Sequence, residues 1–233
     1  MKFTIRAGIH CVVFLMLGIF SENTLASAVI SGTRIIYPSD SNEISVKIMN
    51  NGSAPILLQS WIDNGDQNLR PTMIKVPFVL TPPMNRVDAG KGQTLRISYT
   101  GTRLPMDRES VFWLNVLEIP GKNHAKAEHN TLQVAFRSRI KLFFRPAGLP
   151  GHANDAVQSV IWRAKGTYLE ATNPTPFYVS FARLSVNDNK LVGVMVPPHR
   201  STMINIPGHA GSKINGAFVN DYGAVNSFTA DIK

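Results

Sequence analysis

The alternation of apolar and polar residues is most regular in residues 131–146, where the even positions are apolar except for one serine. Gln133, Arg137, Arg139, Lys141 and Arg145 occupy most of the odd positions. A period of two predicts a β-strand. At about 3.3 Å per residue this strand would span about 50 Å, whereas strands of small sandwiches are usually about 20 Å long. We therefore expect half of it to have no partner surface inside its own domain.

Shorter runs rich in β-branched and aromatic residues precede this segment, separated by turn-forming elements such as Asn-Gly and Pro-Pro. They predict strands at residues 35–37, 44–49, 56–62, 74–80, 94–99 and 111–119. Together with the long strand they make seven, which is the strand number of an immunoglobulin-like β-sandwich. The predicted fold class is therefore all-β.

A Pro- and Gly-rich stretch at residues 145–151 interrupts the strand pattern and predicts a domain boundary. Strand-like runs then resume, at residues 160–163, 168–171, 178–186, 191–196, 202–206, 214–219 and 227–232. We expect an N-terminal sandwich at 29–147, a hinge at 148–151 and a second β-sandwich at 152–233. A cleft would lie between the domains, with the base of the long strand running into it.

The N-terminus has the pattern of a secretory signal. Lys2 and Arg6 precede an apolar run at residues 11–20, and Ala26-Ser27-Ala28 offers small residues at the spacing of a cleavage site. The run is too short to cross a membrane as a helix, and no later stretch is long enough. We expect residues 1–28 to be removed, giving an exported protein that starts near Val29 and is not stably inserted in a membrane.

Charge and cysteine content restrict the partners and the sources of stability. The only cysteine, Cys11, lies in the predicted signal, so the mature chain would have no disulfide. Loss of two cations and one anion with the signal lowers the formal net charge from +9 to +8. A basic surface is compatible with nucleic acid, an anionic membrane or an acidic protein partner, and equally with a basic protein that has no electrostatic role.

The sequence contains none of the short motifs that mark catalytic nucleophiles, metal sites or phosphate-binding loops. His124 and His129 have no cysteine or carboxylate at ligand spacing, so we interpret them as loop residues. We expect no enzymatic activity, cofactor or metal. Nucleic acid is also not an expected partner, because Phe136 and Phe144 fall on the opposite face of the long strand from its cations.

Several motifs are similar to those of the periplasmic PapD-like chaperones of the chaperone/usher pathway, which assemble adhesive pili on Gram-negative bacteria. They occur in the order of that family over nearly all of the mature chain. The matching segments are residues 33–37 (TRIIY), 81–83 (TPP), 104–110 (LPMDRES), 112–115 (FWLN), 118–120 (EIP), 140–146 (IKLFFRP), 173–178 (NPTPFY) and 220–223 (NDYG).

The resemblance implies two immunoglobulin-like domains in a boomerang arrangement, with a subunit-binding cleft between them. It also implies that Arg34 and Lys141 anchor the C-terminal carboxylate of a pilus subunit. Leu132, Val134 and Phe136 would be donated to a hydrophobic groove of the subunit, a form of β-strand addition. The implied partners are pilus subunits and an outer-membrane usher, and self-association of the free protein is left open. Without the resemblance, Arg34 would be interpreted as an exposed strand residue.

The resemblance further assigns Glu109, Arg145 and Asp221 to an ion network that fixes the angle between the domains. Pro83 and Pro176 lie in family motifs where cis peptides occur. Family members with a long loop before the donor strand usually carry a cysteine pair there. The loop in this chain is of modest length and has none, which favours the short-loop branch.

Two other functions remain open from the residues alone. A secreted carbohydrate-binding or adhesive sandwich would bind glycans through aromatic platforms and need no subunit partner. A periplasmic enzyme would assemble its site from acids or histidines that are distant in sequence.

Overall fold

The computed structural model describes residues 27–121 and 134–233, which form two β-sandwiches, each with its own core. The first sandwich contains nine strands among these residues. They are β1 (Ala28–Ile30), β2 (Arg34–Pro38), β3 (Ile44–Asn50), β4 (Ile56–Asp63), β5 (Phe78–Thr81), β6 (Met84–Val87), β7 (Gly92–Tyr99), β8 (Ser110–Pro120) and β9 (Phe136–Arg145).

One sheet of the first sandwich has the order β1-β3-β7-β5 and the other has the order β2-β9-β8-β4-β6. Strands β2 and β9 pair in parallel, whereas β8 is antiparallel to both β9 and β4. Alternation decides which residues enter the core: Phe112, Leu114 and Val116 of β8 are buried in it. The intervening residues of β8 therefore lie on the outer face of the five-stranded sheet.

The second sandwich contains seven strands. They are β10 (Ile161–Lys165), β11 (Tyr168–Asn173), β12 (Val179–Val186), β13 (Asn189–Val196), β14 (Arg200–Ile204), β15 (Lys213–Val219) and β16 (Val225–Asp231). They form sheets of order β10-β11-β14 and β13-β12-β15-β16. Trp162 and Phe181 pack in the core, with ring centroids 5.4 Å apart. The predicted all-β class with two immunoglobulin-like sandwiches is confirmed.

All seven strands predicted for the second sandwich are present, with small shifts at their ends. In the first sandwich the sequence missed β1, which has three residues, and β6, whose sequence Met-Asn-Arg-Val lacks a β-branched run. The predicted strand at 74–80 was wrong at its start, because β5 begins only at Phe78, directly after Pro77. The sequence also missed two short 3-10 helices, Pro71–Met73 and Ala153–Ser159.

Strand β9 is shorter than the predicted strand at 131–146. It begins at Phe136, which is paired with Glu118 of β8, and Val134 and Ala135 are not in a strand. Leu142 and Phe144 enter the core, and Ile140 packs against it. Ile140, Leu142 and Phe144 therefore pack in their own domain, while Leu132 lies outside the described residues.

The cis peptide bond among the described residues is Thr81–Pro82, so neither Pro83 nor Pro176 follows a cis bond. Within 27–121 and 134–233, no helix has the length and apolar character needed to cross a membrane.

Candidate functional site

The parallel pairing of β2 with β9 places Arg34 directly opposite Lys141. Their neighbours Ile35 and Leu142 are buried in the core. Because successive residues of a strand point to opposite faces, the two cations lie together on the outer face of the sheet. The structure thus brings together two residues that are far apart in sequence.

Arg34 is half-buried where the first domain meets the second. Its Nη1 donates a hydrogen bond to the carbonyl oxygen of Val219 at 2.7 Å, and its guanidinium lies 5.7 Å from the ring centroid of Phe143. Its Nε is buried without a hydrogen-bond partner. Burial lowers the pKa of Arg34, despite the charges of Asp221 and Glu109, and the nearby Arg145 lowers it further.

Lys141 also forms a hydrogen bond to the second domain: its Nζ donates to Ser180 Oγ at 3.1 Å. Burial, together with the charge of Arg34, lowers the pKa of Lys141 to about 8. Among residues 27–121 and 134–233, neither cation has a carboxylate within 4.0 Å. Two adjacent, partly desolvated cations with neutral partners form a site that an anion would stabilise.

Replacement of Lys141 by methionine is expected to raise the free energy of unfolding at pH 7 by about 1 kcal/mol after allowance for solvent screening. The folded-state pKa of Lys141, about 8, is below its ordinary value of 10.5, so the unfolded chain binds the proton more tightly. Protonated Lys141 therefore destabilises the fold below pH 8, and this cost disappears as the pH rises from 8 to 10.5. Urea unfolding of both proteins at pH 7 and pH 10 measures the difference.

The matched control is Lys213→Met, since Lys213 is exposed and forms its ion pair with the exposed Asp231. This variant should show no comparable pH-dependent change relative to the wild type. A Lys141→Met protein whose stability differs from the wild type by the same amount at both pH values would contradict the assigned cost of burying the charge.

The second feature of this region is an ion network that joins the domains through Arg145. The Nε of Arg145 donates to Glu109 Oε1 at 2.7 Å, and its two terminal nitrogens bind the Asp221 carboxylate at 2.7 and 2.8 Å. Burial raises the pKa of Glu109 even though the charge of Arg145 opposes the shift. Burial would lower the pKa of Arg145, but its bonds and charge interactions with Asp221 and Glu109 outweigh this effect and raise it. The structure thus brings together the three residues that the resemblance assigned.

Backbone contacts reinforce this connection. Glu109 Oε2 accepts from the amide of Tyr178 at 2.7 Å, and the amide of Glu109 donates to the carbonyl oxygen of Pro176 at 2.9 Å. In the second domain Gly223 has a φ of 83°, and a Cβ atom there would collide with the hydroxyl of Thr33. Glycine is thus needed at this position for both its backbone conformation and its close approach to the first domain.

The expected donor residues are exposed where the structure describes them. Val134 is 46% exposed and Phe136 is 62% exposed, whereas Leu142 and Phe144 of β9 are buried. Val134 lies just before β9 and Phe136 begins it, and two exposed apolar side chains at this position are candidates for contact with another protein. Leu132 lies outside the described residues, as do His124 and His129, and their assignments stay predictions.

A second buried network, not predicted from the sequence, lies on the outer face of the sheet. Asp63 accepts two hydrogen bonds from Arg139, at 2.6 and 3.1 Å, and a third from Asn115 Nδ2 at 2.6 Å. The guanidinium of Arg139 also lies 4.5 Å from the ring centroid of Trp113. In the sequence, the available indication was Asp63 itself, a charged residue directly after the predicted strand at 56–62. Its partners could not be predicted, because they depend on the β4-β8-β9 order of the sheet.

Residues 27–121 and 134–233 include no group of three or more His, Cys, Asp or Glu side chains that could hold a metal ion. The fold and the cationic pair define a two-domain immunoglobulin-like protein in which Arg34 and Lys141 lie together where the domains meet.

Comparison with protein families identifies this class. Residues 27–150 match the family described as pili and flagellar-assembly chaperone, PapD N-terminal domain, and residues 155–230 match that of the pili assembly chaperone PapD, C-terminal domain. The chain belongs to this family of pilus assembly chaperones. The sequence-based recognition is confirmed, whereas the short-loop assignment depends on residues mostly outside the described range and stays a prediction.

Comparison with individual proteins supports the same family assignment. The chain is 42% identical over 236 residues to the chaperone protein FimB/FhaD of Bordetella pertussis, covering 97% of each. It is 45% identical to the probable fimbrial chaperone YadV of Escherichia coli, covering 92% of this chain and 91% of the relative. Among solved structures, the complex of Salmonella enterica SafA pilin with the SafB chaperone matches with a TM-score of 0.78 and 30% identity, over 89% of this chain and 97% of that one.

Proposed function

We propose that this protein is a periplasmic chaperone that binds, folds and caps pilus subunits by donating a strand and delivers them to an outer-membrane usher. The observation that carries the proposal is the juxtaposition of Arg34 and Lys141, which have no carboxylate partner within the described residues, on a strand that begins at the exposed Phe136. An anion site and an apolar strand end are what a C-terminal strand segment of a partner would require.

The spacing along β9 supports one continuous binding surface. Phe136 precedes Lys141 by five residues, a distance of about 17 Å along a strand. A partner strand that ends with its carboxylate at Lys141 would therefore run past Phe136 and towards Val134. Burial of each of these side chains would contribute about 1.5 to 3 kcal/mol, before the cost of ordering the segment.

The relatives support the same function. The solved SafB chaperone is in complex with a pilin, and other relatives are named fimbrial chaperones. In this function the Glu109–Arg145–Asp221 network fixes the angle between domains at residues 29–147 and 152–233, with residues 148–151 as the hinge. The proposal includes export through a cleaved N-terminal signal and involves no catalytic step.

The proposal is tested by co-expression with each pilin-like protein encoded beside an usher in the source genome. We expect a one-to-one complex in the periplasmic fraction and a loss of at least about tenfold in affinity for Phe136→Asp, because a charge replaces an aromatic ring that the complex would bury. Affinity is measured by competition with a labelled wild-type protein.

Val192→Asp is the control variant, since Val192 is 75% exposed on β13 of the second domain, away from β9. It should bind as the wild type does. Equal binding by Phe136→Asp and the wild type would contradict strand donation by β9, and the absence of a complex with any such subunit would contradict the function.

A further inference from the structure

The carboxylate of Glu118 is an uncompensated charge in the described part of the first domain. Glu118 continues the core-facing row of Phe112, Leu114 and Val116 on β8, and it is only 7% exposed. No lysine, arginine or histidine among residues 27–121 and 134–233 lies within 4.0 Å of it. Burial of a carboxylate is costly unless a cation or several hydrogen bonds compensate it.

Both side-chain oxygens of Glu118 face the beginning of the described chain. Oε2 accepts from the amide of Ala28 at 2.9 Å, and Oε1 accepts from the hydroxyl of Ser27. These donors are neutral, so they satisfy hydrogen bonding without balancing the charge. The backbone nitrogen of Ser27 is bonded to the Cα that carries this hydroxyl-bearing side chain. It lies one residue before the amide of Ala28, so it belongs to the same short segment as both donors.

Ser27 is an integral part of the sandwich. Its carbonyl oxygen accepts from the amide of Asn51 at 2.7 Å, which extends the β1–β3 pairing of Ala28 with Asn50 by one step. It also packs so closely against Gly52 that a Cβ atom on that glycine would lie 2.7 Å from Ser27 Cβ. A mature chain that began at Val29 would lose these contacts and both donors to Glu118.

We propose that the export signal is cut between Ala26 and Ser27, and that the ammonium group created on Ser27 is the counter-ion of Glu118. Hydrolysis adds the hydroxyl of water to the Ala26 carbonyl and its hydrogen to the Ser27 nitrogen, which takes up a further proton at neutral pH. Ala26 and Thr24 supply the small residues that such a cut requires. This inference rests on the proposed export and places the cut two residues before Val29.

The position of the cut is tested by expressing the full-length chain in a Gram-negative host and measuring the intact mass of the periplasmic product. A product that begins at Ser27 is expected. A product lighter by one serine and one alanine residue begins at Val29 and overturns the inference while leaving export intact. A full-length product retained in the cytoplasm contradicts export itself, so the two failures are distinguishable.

The ion pair is tested by a double-mutant cycle on the exported protein. One change inserts a glycine between Ala26 and Ser27, which displaces the ammonium group by one residue, and the other is Glu118→Gln. We expect the inserted glycine to lower the urea midpoint in the wild type and to have a smaller effect beside Glu118→Gln. Equal shifts in the two backgrounds would overturn the ion pair.

A direct titration covers the case in which Glu118→Gln does not accumulate. The α-amino group of the wild-type protein is followed by NMR after reductive methylation with a carbon-13 label. A midpoint above the ordinary α-amino range of about 7.7 to 8.0 supports the pair with Glu118. A midpoint within or below that range overturns it.

Discussion

Arg34→Ala and Lys141→Ala are each expected to weaken the binding of a pilus subunit by at least about tenfold, and by up to about a hundredfold. The reason is that each cation would donate a charge-assisted hydrogen bond to the terminal carboxylate of the subunit, worth about 1.5 to 3 kcal/mol. Within the described residues, the hydrogen bonds of the two side chains are to neutral oxygens, of Val219 and Ser180. The measurement is the affinity of each variant for a peptide with the C-terminal sequence of a cognate subunit.

The peptide allows a cycle that separates the carboxylate from all other contacts. An amidated peptide should bind the wild type about as weakly as the free-acid peptide binds Lys141→Ala, and the substitution should cost little further affinity for the amide. Arg96→Ala and Lys213→Ala are matched controls, because both cations are exposed and paired with other residues. If the wild type bound the acid and the amide equally, Arg34 and Lys141 would not be the carboxylate anchor.

The same cations carry a cost in the free protein. The Nε of Arg34 is buried without a partner, and burial lowers the pKa values of both side chains. A carboxylate between them would offset the desolvation of both charges, so binding and stability place opposite demands on these two positions. This conflict is typical of a functional site, where stability is given up for a partner.

The sequence was sufficient to predict a strand where the alternation of apolar and polar residues within that strand is regular. The alternation in residues 131–146 predicted β9, and its even positions from Ile140 to Phe144 enter or pack against the core as expected. The prediction was wrong at Val134 and Ala135, which are not in a strand. The β8–β9 register ends where Phe136 lies opposite Glu118, so the alternating pattern at these two residues does not by itself produce a strand.

The sequence was insufficient where a contact depends on sheet order. The pairing of Arg34 with Lys141 was available only through the family resemblance, because nothing local indicates that β2 lies parallel to β9. The same limit hid the Asp63–Arg139 pair, whose members lie on strands separated by β8. Ser27 was assigned to the signal because its small neighbours fit a cleavage site, whereas its contact with Glu118 becomes visible only in three dimensions.

Arg145→Ala is expected to be the most destabilising of the substitutions considered, with a loss of about 3 to 5 kcal/mol in the free energy that couples the domains. Glu109 has a side chain that is 2% exposed, and without Arg145 its charge would remain buried beside the amide of Tyr178. Asp221 would lose both of its bonds to the first domain. Urea unfolding followed by fluorescence and by circular dichroism should change from coincident to separate transitions, since the two sandwiches have independent cores.

A second variant distinguishes the loss of the network's hydrogen bonds from the cost of leaving the charge of Glu109 buried without a counter-ion. Glu109→Gln, Arg145→Met and Asp221→Asn together remove every formal charge while keeping similar volumes, so the triple variant should be less destabilised than Arg145→Ala alone. Lys213→Ala, which breaks an exposed ion pair, should cost less than about 1 kcal/mol. If the triple variant lost as much stability as Arg145→Ala, the bonds of the network rather than the uncompensated charge of Glu109 would hold the domains together. Because Arg145 follows Lys141 by four residues on β9, either result links the strand that would bind the subunit to the angle between the domains.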